Sequence, residues 1–482
     1  MDGTKQARLS PMDNVMPRIY ARLIFCFRRS PTRDPLEIHR LLDEGLRRAA
    51  TDIPSLASRV FQTAGQGLGQ GSLEWRAHAD WTPTLVFRNL SDTLDYDDLM
   101  DDGLPQDELD RDILFPAEGP ADWESGVPVF LTQANFLEGG LLLSIAIYHP
   151  TIDGTSAMVM MKKWAEHTRQ LQGMRVGGEG TTVHLTSDSV DPGVLMKLWR
   201  DENNNEEIVL REQAPRKDES VWRLIGLTQP SDNPSVPEMP PPPPPVRTTI
   251  FYVSKNAFGD LHAQTAAQGD PTSKTSANDA LMALLWRAII RARFPDAVKP
   301  EIDTETILDT TFDGRGMFSS SLPWSYIGTL IFINTARMGL STLTSPDTSL
   351  GLIARTIREA TEQITTPRLH EAFAAAAALP NYNTLGYPFA TFAGAEVCIT
   401  SWIALGLFDI SFGDILENGG RPELARPPRR EFDAVCRRCV VLPLQPAGGF
   451  EVLVSLVDEE IARLETDAEF RRYATVVSST GV

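Results

Sequence analysis

Six consecutive prolines, Pro240 to Pro245, constrain this chain more than any other feature. Proline lacks the amide donor and locks φ, so the run can enter neither a helix interior nor a central strand. It favours an extended polyproline strut on the surface. The glycine-rich GMRVGGEG (173–180) and the polar DENNNEE (201–207) precede it, so the chain of 482 residues is expected to divide there. The expected organisation is a first domain over 1–235, a linker over 236–246 and a second domain over 247–482, each long enough to bury its own core.

With 42% hydrophobic and 23% charged residues, disorder and small disulfide scaffolds are excluded. The formal charge of −19 has the wrong sign for holding a phosphate backbone, so nucleic acid is not an expected partner. The four cysteines point to a reducing compartment. Cys436 and Cys439 form one CRRC, but the run that follows, Val440 to Leu442, reads as a strand rather than the helix start of a redox motif. The seven histidines are scattered with no HExxH, so no metal is expected. The N-terminal apolar stretch Leu23 to Phe27 is too short for a secretory core, and no window is long enough to span a bilayer, so a cytoplasmic protein with no membrane partner is expected. Phosphate-binding glycine loops and a GxSxG elbow are missing, which argues against nucleotide hydrolysis, Rossmann dinucleotide binding and α/β-hydrolase chemistry.

The elements alternate as in an α/β protein. Pro35 to Ala50 carries a helical stripe, Arg247 to Val253 reads as a strand, and 276–293 reads as a strong helix whose N-cap is Ser276 or Asn278. Leu141 to Tyr148 is a buried strand whose alternation puts Leu141, Leu143, Ile145, Ile147 and His149 on one face. Pro150 stops the strand, Asp153 and Gly154 make the turn, and Thr155 to Thr168 has the residue types of a helix. A neutral imidazole at such a strand end can accept a proton near neutral pH. Asp153 is either the holder of that turn or a plain helix cap.

HPTIDG at 149–154 does not stand alone. LSPMDNVMPRIY (9–20), VPVFLTQANFLEGGLLLSIAIYHPTIDG (127–154), SANDALMALLWRAIIRAR (276–293), FDGRGMF (312–318), WSYIG (324–328) and FDISFGDILENGGRPELARPP (408–428) occur in this order. Together they resemble the HxxxD acyltransferases, the BAHD family, and its fungal trichothecene 3-O-acetyltransferase-like branch. The resemblance implies two chloramphenicol-acetyltransferase-like α/β domains with a substrate tunnel at their interface. Acyl-CoA, acetyl-CoA above all, would enter from one side as co-substrate, with no tightly bound cofactor, and a small-molecule alcohol or amine from the other. It further implies a monomer in which His149 is the general base and Asp153 faces away to pair with Arg315, supported by Gly154, Asp313 and Gly413. Lys274, Thr275 and Ser276 fall where relatives approach coenzyme A, and a helix N-terminus with a nearby cation suits phosphate.

This chain departs from the pattern where relatives carry DFGWG: it has Ser411, Phe412, Gly413, Asp414 and Ile415. Oxyanion stabilisation then has to come from elsewhere, with Ser401 or the indole of Trp402 as candidates. Asp409 is a candidate for the missing aspartate, and Thr329 stands where relatives often have Asn. Two other functions are weighed against acyl-CoA-dependent O-acylation. A free-standing condensation-type domain would use carrier-bound donors and usually shows HHxxxDG, where Tyr148 stands here. A repurposed fold would act as a binding module or cyclase.

Overall fold

The strand read from Leu141 onward runs Gly140–Tyr148 and is the centre of a five-stranded sheet. The computed structural model describes residues 5–63, 69–78, 80–116, 123–174, 182–230, 245–268, 274–295, 304–388, 394–428 and 437–480. From edge to edge the first sheet contains Leu424–Arg426, Tyr20–Arg28, Gly140–Tyr148, Phe130–Leu137 and Leu85–Asn89. All neighbours are antiparallel except the last pair.

Both faces of Gly140–Tyr148 are buried, which is why its sequence is apolar throughout rather than alternating with polar residues. Leu141, Leu143, Ile145 and Ile147 pack against Leu42 and Leu46 of the helix Pro35–Asp52 and against Met158, Met161 and Trp164 of the helix Gly154–Leu171. Leu142 and Ala146 face the opposite way, onto Ile24, Cys26, Leu104 and Leu114.

The second sheet has seven strands: Ile331–Gly339, Glu305–Asp313, Glu396–Ser401, Arg438–Val441, Gly449–Val457, Val246–Ser254 and Thr475–Ser479. The helix Ala277–Arg293 packs on it, buried nearly all round, and Ser276 is its N-cap. Cys439 lies in the strand Arg438–Val441, where burial pushes its thiol up to about 12; Cys436 lies outside the described residues. Lys5–Arg8, Leu73–Ala77, Ser58–Gln62 and Val127–Pro128 form a third, small sheet. Of the stretch 236–246, only Pro245 and Val246 fall within the described residues, and Val246 already opens its strand.

The two halves exchange structure. Residues after the strand Glu396–Ser401 leave the second sheet and send Leu407, Ile410, Phe412, Ile415 and Leu416 into the first core. The strand Leu424–Arg426 then pairs with Ile24–Cys26. Arg426, 1% exposed, reaches back to Glu451 of the second sheet at 2.9 and 2.5 Å and donates to the Leu104 carbonyl at 2.6 Å. A buried ion pair of this kind is worth keeping only when further hydrogen bonds support it, and here the Gly103 and Leu104 carbonyls accept from the second terminal nitrogen. Among the described residues no helix is long and apolar enough to cross a membrane. Nor, among them, is any group of three or more His, Cys, Asp or Glu side chains placed to hold a metal ion.

Candidate active site

The strand Gly140–Tyr148 ends because the next three residues, His149–Thr151, turn into a single 3₁₀ turn. Pro150 has no donor for the ladder, and the Thr151 hydroxyl donates to the Tyr148 carbonyl at 2.7 Å, closing the turn. His149 is therefore half-buried at the strand end rather than a further residue of the strand. Its backbone N–H donates to the Ile19 carbonyl at 2.9 Å, and its carbonyl accepts from the Thr329 hydroxyl at 3.4 Å.

Asp153 follows in extended backbone and caps the helix Gly154–Leu171, accepting from Ser156 N–H at 2.9 Å. Its side chain is fully buried, and Arg315 donates to both of its oxygens, at 2.8 and 2.9 Å. Leu330 N–H adds a bond of 3.0 Å. The rest of the guanidinium is also satisfied: it donates to Ser156 Oγ at 2.9 Å, to the Tyr326 and Gly328 carbonyls at 3.0 and 3.2 Å, and to Asp313 at 2.9 Å. Burial alone would lower the Arg315 pKa, but the charges of Asp153 and Asp313 and the bonds to them hold it above its usual value. Asp313 joins the same knot by accepting from Thr155 Oγ1 at 2.6 Å. Gly328 has to be glycine, since a Cβ there would meet the Tyr326 phenol oxygen at 2.3 Å.

The structure thus brings His149, Asp153, Gly154, Asp313, Arg315 and Thr329 to one place. The loop after Glu396–Ser401 joins them, since Leu405 packs where a Cβ on Gly154 would lie, 2.9 Å away. Ser401 opens that loop, and its hydroxyl oxygen is buried with no hydrogen-bond partner among the described residues. Trp402 packs instead against Ile250, Val440, Leu442 and Leu453.

Other residues named from the sequence lie differently. Gly413, at φ +84°, is wedged against Gln172 and Met174, both 2.8 Å from the position of a Cβ. The segment around it is bonded to the end of the helix Gly154–Leu171, Gln172 donating to the Phe412 carbonyl at 2.7 Å and accepting from Ile415 N–H at 3.1 Å. Phe412 stacks edge-on with Trp164 and Phe27 in the first core. Asp409 is exposed and has no ion-pair partner among the described residues, so it does not replace a structural aspartate. Ser276 spends its hydroxyl on a capping box with Asp279, whose carboxylate is neutralised by Arg358; Thr275 is half-buried and Lys274 exposed.

Sequence reasoning missed Ser156, Leu330 and above all Asp13. Asp13 is 1% exposed; it accepts from Thr329 N–H at 2.7 Å and from Ser10 N–H at 2.8 Å. Burial pushes its carboxyl up to about 7, against the lowering effect of those bonds. The available signal was the S-x-x-D spacing of Ser10 and Asp13, which announces a capping box but not a contact across the chain. Tyr148 is buried edge-on against Tyr20, and burial pushes its phenol up to about 12.

A profile of the Transferase family matches residues 4–471. An isocyanide synthase-NRPS hybrid of Aspergillus fumigatus is 28% identical over 98% of this chain, which spans 31% of that much longer protein. An eremophilane O-acetyltransferase of Penicillium roqueforti is 27% identical over 97% of this chain and 98% of its own. The trichothecene 3-O-acetyltransferase TRI101 of Fusarium sporotrichioides is 25% identical over 93% of this chain and 92% of its own. Its crystal structure with coenzyme A and T-2 superposes at a TM-score of 0.78 with 22% identity, covering 98% of this chain and all of that one.

Proposed function

The chain belongs to the Transferase family, the acyltransferases with an HxxxD motif, and on that premise we propose that it transfers an acyl group, acetyl in the first instance, from coenzyme A to a hydroxyl of a fungal-type secondary metabolite. The observation that carries this reading is His149, half-buried on a turn held at both its N–H and its carbonyl, beside an aspartate committed to Arg315. His149 takes the proton of the acceptor hydroxyl as its oxygen attacks the thioester carbonyl. The tetrahedral intermediate expels the thiolate, which recovers the proton from the imidazolium, so no acyl-enzyme forms. Asp153 and Arg315 hold the turn.

For the developing oxyanion the better donor is Ser401, whose buried hydroxyl is unspent; the ring of Trp402 is committed to packing. On the donor side Lys274 and Thr275 are the groups left for the phosphates of coenzyme A, because Ser276 is occupied as a cap. The enzyme works as a cytoplasmic monomer without a tightly bound cofactor.

A second reading, acyl transfer from a carrier protein, is favoured by the likeness to part of an NRPS hybrid. Purified protein incubated with acetyl-CoA and a panel of secondary-metabolite alcohols separates them. Thiol release that depends on the alcohol supports the proposal; turnover only with carrier-linked thioesters supports the second reading; ligand binding without turnover of either donor sinks both.

A further inference from the structure

We infer that Asp13 is a positioning residue for His149, its carboxylate fixing the Thr329–Leu330 backbone against which the histidine turn is set. The inference rests on the reading of His149 as the base.

The N–H groups of Thr329 and Leu330 are consecutive, and each ends on a buried carboxylate from the first half of the chain: Thr329 on Asp13 at 2.7 Å, Leu330 on Asp153 at 3.0 Å. The Thr329 side chain then donates to the His149 carbonyl. The segment that carries Asp13 also touches the histidine directly, since the Ile19 carbonyl accepts from His149 N–H. Asn14 pins that segment in turn, donating to the Leu9 and Ser10 carbonyls and accepting from Leu73 N–H. A cap for the four-residue helix Pro11–Asn14 needs only Ser10 and Asp13. It does not need a carboxylate withdrawn from solvent with an oxygen placed on a residue 316 positions away. Asp153 has Arg315 to balance it; among the described residues Asp13 has no cation beside it and is held by Ser10, through its N–H and its hydroxyl, and by Thr329 N–H.

Steady-state kinetics of Asp13→Asn and Ser10→Ala test this. The asparagine offers one amide oxygen where two N–H groups need acceptors. The expected result is a fall in kcat of about 10- to 100-fold with the KM for acyl-CoA within about twofold, the signature of a displaced base rather than lost binding. Ser10→Ala removes the cap hydroxyl but leaves the Thr329 N–H bond to Asp13 in place, and should lower the melting temperature while keeping kcat. If both variants shift melting alike and both keep kcat, Asp13 is a cap and the inference fails. Should Asp13→Asn not fold, Thr329→Val deletes the hydroxyl on the His149 carbonyl and Thr329→Ser restores it; an unchanged kcat in Thr329→Val also overturns the inference. His149→Ala is run alongside. If it too retains turnover, the base assignment falls; if it loses turnover while Asp13→Asn does not, only the role of Asp13 falls.

Discussion

Arg315 clasps Asp153 across 162 residues of sequence through two nearly parallel bonds of 2.8 and 2.9 Å, with both side chains almost wholly withdrawn from water. Removing either partner leaves an unbalanced buried charge, which costs about 3–5 kcal/mol. Asp153→Ala should therefore lower both the melting temperature and kcat. Arg315→Lys should do so nearly as severely, because an ammonium cannot bond both carboxylate oxygens and the Tyr326 and Gly328 carbonyls together. Full activity with unchanged melting in Asp153→Ala would contradict the role assigned to the pair.

His149→Ala should behave in the opposite manner. The ring is half-buried, so the fold should tolerate its loss with a melting shift of a few degrees. Turnover should fall by about 10²–10⁴, the usual contribution of a general base. Single-turnover thiol release read beside a melting curve checks both halves of this expectation.

Asp13 gives a pH dependence of known sign. Its carboxyl is pushed up by burial to about 7 in the folded state, against an ordinary value of 3.8. Between those values the native protein binds the extra proton, so this group's contribution to stability falls as pH rises from about 4 to about 7 and is level above that. From pH 5 to pH 8 the melting temperature of the wild type should fall further, or rise less, than that of Asp13→Asn. Equal changes would show that Asp13 titrates normally. Asp153, whose charge also raises the Asp13 value, is common to both proteins.

Gly413→Ala asks a backbone at φ +84° to carry a side chain, and its Cβ would press on the Gln172 amide and the Met174 sulfur. A destabilisation of roughly 1–3 kcal/mol is expected. Since the segment lies against the far end of the helix Gly154–Leu171, the folded fraction should keep its kcat. A selective loss of kcat without a loss of stability would instead bring the SFGD segment into the chemistry.

The local parts of this architecture were readable in advance. The apolar run ending in His149 and Pro150, the turn at Asp153 and Gly154, and the helix with its cap at Ser276 or Asn278 follow from periodicity and capping chemistry, which act over a few residues. The Arg315 partner of Asp153 came from resemblance, because nothing in either residue's neighbourhood announces a contact so distant in sequence. Asp13 was missed for a related reason: a short capping box explains it locally, and its second bond appears only once the chain is folded. The pairing of Leu424–Arg426 with Ile24–Cys26 was equally hidden, since three residues carry no periodicity and Arg426 reads as a surface cation until Glu451 is seen beside it.

That short pairing has a consequence for anyone dividing the molecule. A fragment made only of the first half would present the naked flank of Tyr20–Arg28, with Phe412 and its neighbours gone from behind it, and such an open flank invites association with other chains. The complementary fragment would carry the strand Leu424–Arg426 without the strand it pairs with. Neither piece is a self-sufficient lobe, and splitting the gene for co-expression should yield activity only where the two products find each other while folding.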